Sequence, residues 1–273
     1  MSLLSKNPNL IKDIIKISKD AGESILDIYH NHDSDFDLKE DRSPLTKADI
    51  SSHRIITRRL KDLTPSIPII SEEDSDIPFK IRSNWKEYWL VDPLDGTKEF
   101  LKGNGEYTVN IALISANKPV LGVINIPSLK KIFWGQKDKG SFSINEDNNQ
   151  KKISVSGNKE GPIRIAASRS HYNNELDLIL ENNNDYQIIN VGSSIKFCLI
   201  ASGEADVYVR LGPTSEWDTA AGDAILRFAG GETVTEDGED LVYNTKESYL
   251  NGNFFAIGNN EIKDTFLSRF SST

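Results

Sequence analysis

The chain has 273 residues, 37% of them hydrophobic and 27% charged, a balance that suits one large domain or two packed lobes and argues against wholesale disorder. With 32 basic against 41 acidic side chains the formal charge is −9, which argues against a general binder of nucleic acid polymers. No apolar run approaches the ~20 residues needed to cross a bilayer, and one cysteine makes neither an internal disulfide nor a thiolate metal cage, so a soluble protein of a reducing cytoplasm is expected.

The first third reads as helical. Leu10, Ile11, Ile14, Ile15, Ser18, Ala21, Ile25 and Ile28 recur at three- and four-residue spacing and make one apolar stripe. Lys12, Asp13 and Lys16 interrupt the run from Leu10 to Ile17, so it is no signal-peptide core. A second helix is expected from Thr46, carrying Ile50, Ile55, Ile56 and Leu60. Thr46 with Asp49 fits a capping box, and Pro65 and Pro68 end the helix. A short strand over 67–70 then delivers Ser71-Glu72-Glu73-Asp74. The centre reads as an antiparallel meander: a buried strand over 89–91, a half-buried one over 107–113 in which Thr108, Asn110 and Ala112 alternate with larger residues, and strands over 120–126 and 131–134. The polar stretch Asn145 to Lys152 is the expected boundary between an N-terminal α+β lobe, 1–152, and a C-terminal α/β lobe, 153–273. In the second lobe, strands over 163–167, 187–191 and 205–209 alternate with helices over 174–180, 194–201 and 218–229.

Three acidic clusters fall at strand ends or helix starts: Glu72-Glu73, Asp92 with Asp95, and Asp218. Asp92-Pro93-Leu94-Asp95 has the chemistry of a type I turn, which would bring both carboxylates to one side with the Leu94 carbonyl. Gly96 and Thr97 come next, offering backbone N–H groups to an anion and a hydroxyl. Oxygen-rich turns of this kind are what hard cations such as Mg²⁺ require. If the clusters meet, two carboxylates ~4 Å apart repel by roughly 4 kcal/mol at an effective dielectric near 20, and cations must intervene. Asp-Pro and Asp-Gly are also ordinary turn residues, and an Asp at a helix start, such as Asp218, also serves as a cap.

Ser71-Glu72-Glu73, Asp92-Pro93-Leu94-Asp95-Gly96-Thr97 and Trp217-Asp218-Thr219-Ala220-Ala221-Gly222, in that order and separation, resemble the lithium-sensitive, magnesium-dependent phosphatase superfamily that includes inositol monophosphatases. The similarity covers nearly the whole chain. Asp95-Gly96-Thr97-Lys98-Glu99-Phe100, Gly105-Glu106-Tyr107-Thr108-Val109-Asn110 and Gly192-Ser193-Ser194-Ile195-Lys196-Phe197-Cys198 resemble most the bacterial CysQ-type 3′(2′),5′-bisphosphate nucleotidases within it. The resemblance implies a layered α/β/α/β/α fold and Mg²⁺ as cofactor, two or three ions in family terms. It implies Glu72, Asp92, Asp95 and Asp218 as metal ligands, joined by the Leu94 carbonyl. It implies that Gly96 and Thr97 hold the scissile phosphate, and that Asp49 acts with the Thr97 hydroxyl on the attacking water. Asp49 keeps its reading as a helix cap beside that role. No ligand position departs from the pattern. Asp223, on the same helix as Asp218, need do no more than face solvent.

The implied reaction is 3′-phosphoadenosine 5′-phosphate plus water to AMP and phosphate, with a small-molecule nucleotide as partner. A second phosphate and a base need their own contacts. Ser168, Arg169, Ser170, His171, Ser193, Lys196 and Arg210 are the candidates, each an ordinary surface side chain by itself. The resemblance sets Ser193, Lys196 and Arg210 near the 5′-phosphate and His171 near the base. Cys198 reads as buried packing, His30, His32 and His53 carry no ligand spacing, and Trp85, Tyr88 and Trp89 read as core or lobe-interface residues and not as a base-stacking platform. The competing functions are a phosphatase for inositol or another sugar monophosphate, and a non-catalytic nucleotide-binding protein, whose signature would be a lost ligand. The family allows a monomer or a homodimer and a peripheral place on the inner face of the cell membrane.

Overall fold

Helical periodicity decides how the chain begins. The computed structural model describes residues 3–30, 36–38, 44–156, 161–169, 186–259 and 262–263. After one turn at Leu3–Lys6 (α1), helix α2 (Leu10–His30) buries Leu10, Ile11, Ile14, Ile17, Ala21 and Ile25 along one face, while Lys12, Asp13 and Lys16 stay exposed. Each fully buried aliphatic side chain contributes about 1.5–3 kcal/mol, so this stripe outweighs any propensity difference within the helix. Two short antiparallel strands, β1 (Phe36–Leu38) and β2 (Pro44–Thr46), lead into α3 (Lys47–Leu63). Thr46 thus closes a strand, and the helix starts one residue later than expected.

The central sheet is assembled from β3 (Ile69–Ser71), then, past the short helix α4 (Phe79–Arg82), β4 (Glu87–Asp95). Helix α5 (Thr97–Lys102) leads to β5 (Thr108–Ser115), β6 (Lys118–Ile126), β7 (Lys131–Gln136), β8 (Gly140–Ile144) and β9 (Gln150–Ile153). The seven strands lie in chain order, β3 parallel to β4 and every later pair antiparallel, as a meander requires. The polar stretch Asn145 to Lys152 is therefore a hairpin tip and most of an edge strand, not an open linker: Asn145 accepts from the Asn149 N–H through its side chain, and β9 pairs with β8. Sequence polarity marks exposure there, and an exposed edge strand looks the same as a loop.

Both faces of this sheet are covered, which is why β5 is buried from Thr108 to Ile114 and not half-buried as its alternation suggests. Trp89, Val91, Val109, Ile111 and Val123 pack against α2 and α3 on one side. Tyr88, Leu90, Ala112, Ile114 and Ile124 face a second helical layer on the other. That layer and a second sheet are built from β10 (Ile163–Ser168), β11 (Tyr186–Val191), α6 (Ile195–Ala201), β12 (Val207–Arg210), β13 (Thr214–Ser215), α7 (Glu216–Phe228), β14 (Glu232–Thr235), β15 (Leu250–Asn251) and β16 (Phe254–Ile257). The order of the second sheet is β11-β10-β12-β16-β14, with β10 parallel to both β11 and β12. Helices α6 and α7 lie between the two sheets, and one apolar cluster joins them, running from Leu90 and Ile124 through Phe197, Ala221 and Ile225 to Tyr208 and Phe254. Ile165, Val207, Val234, Phe255 and Ile262 fill the far face of the second sheet. Small residues let α7 sit this close: a Cβ on Gly122 would stand 2.4 Å from the Ala221 carbonyl oxygen.

The described elements stack as helices, sheet, helices and sheet, the first four layers of the expected α/β/α/β/α order. The expected helix over 174–180 lies outside the described residues. The short strands β13 to β16 carry no sequence alternation to announce them.

Candidate active site

Four elements of different origin supply the acidic side chains. Glu72 comes directly after β3, and its N–H donates to the Val91 carbonyl (3.1 Å), which ties it to β4. On β4 the register against β5 shifts between Asp92, opposite Asn110, and Asp95, opposite Thr108. This segment is not the type I turn expected from its composition. The Leu94 N–H donates to Asp92 Oδ1 (3.1 Å), and this side-chain closure bulges the strand without ending it. The Pro93 carbonyl accepts from Ser52 Oγ of α3 (2.7 Å), so the bulge is pinned from behind.

Gly96 then takes φ +89°, and a Cβ there would stand 2.9 Å from the Glu106 carbonyl oxygen, so only glycine fits between β4 and α5. Thr97 opens α5 and donates its hydroxyl to the Leu94 carbonyl (3.4 Å). Asp218 is the third residue of α7, where its Oδ2 accepts the Ser215 N–H (2.9 Å) in a capping box. Capping and a place at the pocket coexist in this carboxylate. Asp49 sits buried in the first turn of α3.

Electrostatics shows that these groups converge. Burial, and next the charges of Glu72, Asp95, Asp218 and Asp49, hold the Asp92 carboxyl well above the usual range. Burial with Asp95 and Glu72 does the same to Asp218, against opposition from the Ser215 N–H and Arg210. Among the described residues no three carboxylate, imidazole or thiol groups form a ready-made metal cage. One oxygen of Asp95 is instead held by Ser193 Oγ and the Ser194 N–H, both at 2.6 Å. The donors are all oxygen, which suits a hard cation. Mutual repulsion of carboxylates in a buried setting is relieved by such an ion more cheaply than by protonating them at neutral pH. An open cavity of about 350 Å³ is lined by Glu72, Asp95, Thr97 and Asp218 together with Lys196 and Arg210, while Asp92 and Asp49 are buried and do not line it.

A pattern described as the inositol monophosphatase family matches residues 7–271, nearly the whole chain. The chain belongs to the inositol monophosphatase family. Within this family of metal-dependent phosphatases it is 44% identical over 246 residues to the 3′(2′),5′-bisphosphate nucleotidase CysQ of Salmonella typhimurium, covering 90% of this chain and 98% of that one. The CysQ nucleotidase of Buchnera aphidicola is 42% identical over 250 residues, 90% of this chain and 93% of its own. Among solved structures, CysQ from Bacteroides thetaiotaomicron superposes with a TM-score of 0.79 at 39% identity, covering 90% of this chain and 96% of that one.

The basic side chains of the cavity are held differently from the acidic ones. Lys196 is buried in the first turn of α6, donates to the Ser193 carbonyl (2.5 Å) and lies over the Tyr208 ring (5.1 Å). Burial pushes its ammonium down to about 8, with Asp95 opposing the shift. Arg210, at the end of β12, donates to the Pro213 carbonyl (2.9 Å), while its buried Nε has no hydrogen-bond partner among the described residues. Ser193 also lines the cavity. Arg169 is turned away onto Glu106, and His171 and Ser170 lie outside the described residues.

Several supporting residues carry little signal in the sequence. Thr108 Oγ1 meets Asn110 Oδ1 (2.9 Å), Ser193 Oγ (2.7 Å) and Ser194 Oγ (2.8 Å), so a buried hydroxyl cluster seats the turn that holds Asp95. Polar residues inside a strand buried on both faces are the available signal, but the second face is invisible in sequence. His53 Nδ1 lies 2.9 Å from Ser71 Oγ beside Glu72, so this histidine supports the site despite its unremarkable spacing. Asp223 does not face solvent: it is fully buried, bonded to Arg227 Nε (2.7 Å) and the Tyr243 hydroxyl (3.1 Å). Cys198 is buried packing, and burial pushes its thiol up.

Proposed function

We propose that this chain is a 3′(2′),5′-bisphosphate nucleotidase that removes the 3′-phosphate of 3′-phosphoadenosine 5′-phosphate, giving AMP and phosphate with Mg²⁺ as cofactor. The observation that carries this reading is the mixed lining of one cavity, where the cationic pair Lys196 and Arg210 joins the carboxylates Glu72, Asp95 and Asp218. A monophosphate of an uncharged sugar would leave those two cations without a second phosphate to bind.

Glu72, Asp92, Asp95 and Asp218, with the Leu94 carbonyl, would hold two or three Mg²⁺ ions. When bound, the ions supply charge stabilisation to the transferring phosphoryl group and ease deprotonation of water. The protein's own groups do the rest. The Gly96 and Thr97 N–H groups grip the scissile phosphate. The Asp49 carboxylate and Thr97 Oγ1 orient the attacking water, and Asp49 takes up its proton. A new P–O bond forms to that water oxygen while the bond from phosphorus to the ribose 3′-oxygen breaks; the leaving oxygen takes a proton from solvent water to become the 3′-hydroxyl, and Asp49 returns its proton to solvent. Lys196, Arg210 and Ser193 bind the 5′-phosphate, which fixes the distance from the reacting phosphorus. His171 is assigned to the base by family resemblance.

Phosphate release should be measured with 3′-phosphoadenosine 5′-phosphate and with myo-inositol 1-phosphate, each with Mg²⁺ and with chelator. The bisphosphate is expected to show kcat/KM at least about tenfold higher, a difference of about 1.4 kcal/mol in transition-state binding, and to lose turnover on chelation. Equal turnover of the inositol ester would favour a sugar phosphatase, and nucleotide binding without phosphate release would make the chain a binding protein.

A further inference from the structure

At the rim of the cavity three separate segments are tied by one carboxylate. Glu106, just before β5, receives two parallel hydrogen bonds from Arg169 at the end of β10, Nε to Oε2 (2.8 Å) and an η-nitrogen to Oε1 (2.7 Å). The same Glu106 Oε2 accepts the Gly192 N–H (2.8 Å) just past β11. Arg169 also donates to the Asn190 carbonyl (2.7 Å). Glu106 thus joins the first sheet to the tips of β10 and β11. The charge of Arg169 is matched in bidentate fashion by Glu106, so it does not serve as a phosphate ligand in this arrangement.

The two serines after Gly192 carry this strap into the cavity. Ser193 stands in the left-handed region at φ +56°, a conformation that a non-glycine residue holds only when its surroundings fix it. Its hydroxyl is shared between Asp95 (2.6 Å) and Thr108 (2.7 Å), and its carbonyl accepts from Lys196 (2.5 Å). The Ser194 N–H adds a second bond to Asp95 (2.6 Å). The turn over 192–194 therefore sets an acidic group and a basic group of the cavity at once, and Glu106 is its outer anchor.

We propose that Glu106, clamped by Arg169, is the positioning residue for this turn, and through it for the Asp95 carboxylate and the Lys196 ammonium. The inference rests on the phosphatase reading of the cavity. An isolated surface ion pair is worth little, but here the pair restrains a backbone donor next to a strained residue, and its effect is read in ligand binding more than in stability.

The test uses Glu106→Ala, Glu106→Gln and Arg169→Ala in the full chain. Mg²⁺ dissociation constants come from calorimetry without nucleotide, kcat and KM from phosphate release, and melting temperatures from the metal-free proteins. Glu106→Ala should weaken Mg²⁺ binding about tenfold and lower kcat as well as raise KM, because an acidic and a basic lining residue both depend on the turn. Glu106→Gln keeps an acceptor for the Gly192 N–H and should recover to within about threefold of the parent, with Arg169→Ala between the two. Unchanged Mg²⁺ affinity in Glu106→Ala, or a lowered melting temperature alone, would overturn the assignment. Should Glu106→Ala not fold, the Glu106→Gln and Arg169→Ala pair combined in a cycle decides, additive effects on Mg²⁺ affinity counting against the clamp. A parent protein that binds Mg²⁺ but releases no phosphate would defeat the functional reading while leaving the clamp to be judged on Mg²⁺ affinity.

Discussion

Helix α7 carries two carboxylates little more than one turn apart, the half-buried Asp218 and the fully buried Asp223, and they live in opposite surroundings. Burial raises the carboxyl of Asp223, but Arg227, the Thr233 hydroxyl and the Tyr243 hydroxyl oppose that shift, and Arg227 is bonded in turn to Asp240 (3.0 Å). Burial also raises Asp218, where the next contributors are further carboxylates, Asp95 and Glu72. The first site has its counter-charge within the chain and needs nothing more. The second concentrates like charge around Asp92 and requires a cation from outside. A compensated buried charge holds the fold together, and an uncompensated cluster beside a cavity is where a ligand belongs.

That contrast can be broken by exchanging charge for amide on each side. Asp92→Asn should lower Mg²⁺-dependent turnover by at least about a thousandfold, since it removes a ligand at the centre of the cluster, while leaving the metal-free protein at least as stable as the parent. Asp223→Asn should do the reverse. It leaves Arg227 short of a partner in a buried setting, which costs about 2 kcal/mol of stability, yet the folded protein should retain its kcat. Chemical denaturation and phosphate release on the two variants check both halves. A stability loss in Asp92→Asn with normal turnover would remove the distinction.

A smaller effect sharpens the role of the basic lining residues. The Lys196 pKa is lowered to about 8, so its charge is present at neutral pH and lost as pH rises through that value. KM for the bisphosphate should therefore rise severalfold between about pH 7 and 9, and Lys196→Arg, which stays protonated, should flatten the profile. A parent KM that is flat across this range would place the second phosphate elsewhere.

Much of this is legible in sequence, for reasons that can be named. The apolar stripe of α2 and the order of the acidic motifs are local patterns, and each carries its period or spacing within the chain. The convergence of Glu72, Asp92 and Asp218 is not local; it depends on β3 lying parallel to β4 and on α7 packing against the face of the first sheet. Family resemblance supplies that step where spacing cannot. Thr108 and Asn110 read as solvent-facing alternation because nothing in a strand announces cover on its second face. Asp223 reads as a solvent-facing residue for the same reason: its partner Tyr243 lies 20 residues away and is brought in only by the fold. The bulge at Asp92–Asp95 has the composition of a turn, but the Leu94 N–H bond to Asp92, the Ser52 bond to the Pro93 carbonyl and the pairing of Asp95 with Thr108 keep it in the strand.

The most direct test of the central claim is the melting temperature of the wild-type protein with and without Mg²⁺ across pH. Asp92 and Asp218 have folded-state values raised above the ~3.9 of an unfolded Asp, so the folded state binds protons more tightly than the unfolded one. Their contribution favours the fold at low pH and is lost as pH rises through the raised values, and divalent cations restore it. The account predicts a Mg²⁺-induced rise in melting temperature that is small near pH 4 and grows steadily toward neutrality. A shift that is absent, or of equal size at every pH, would contradict it.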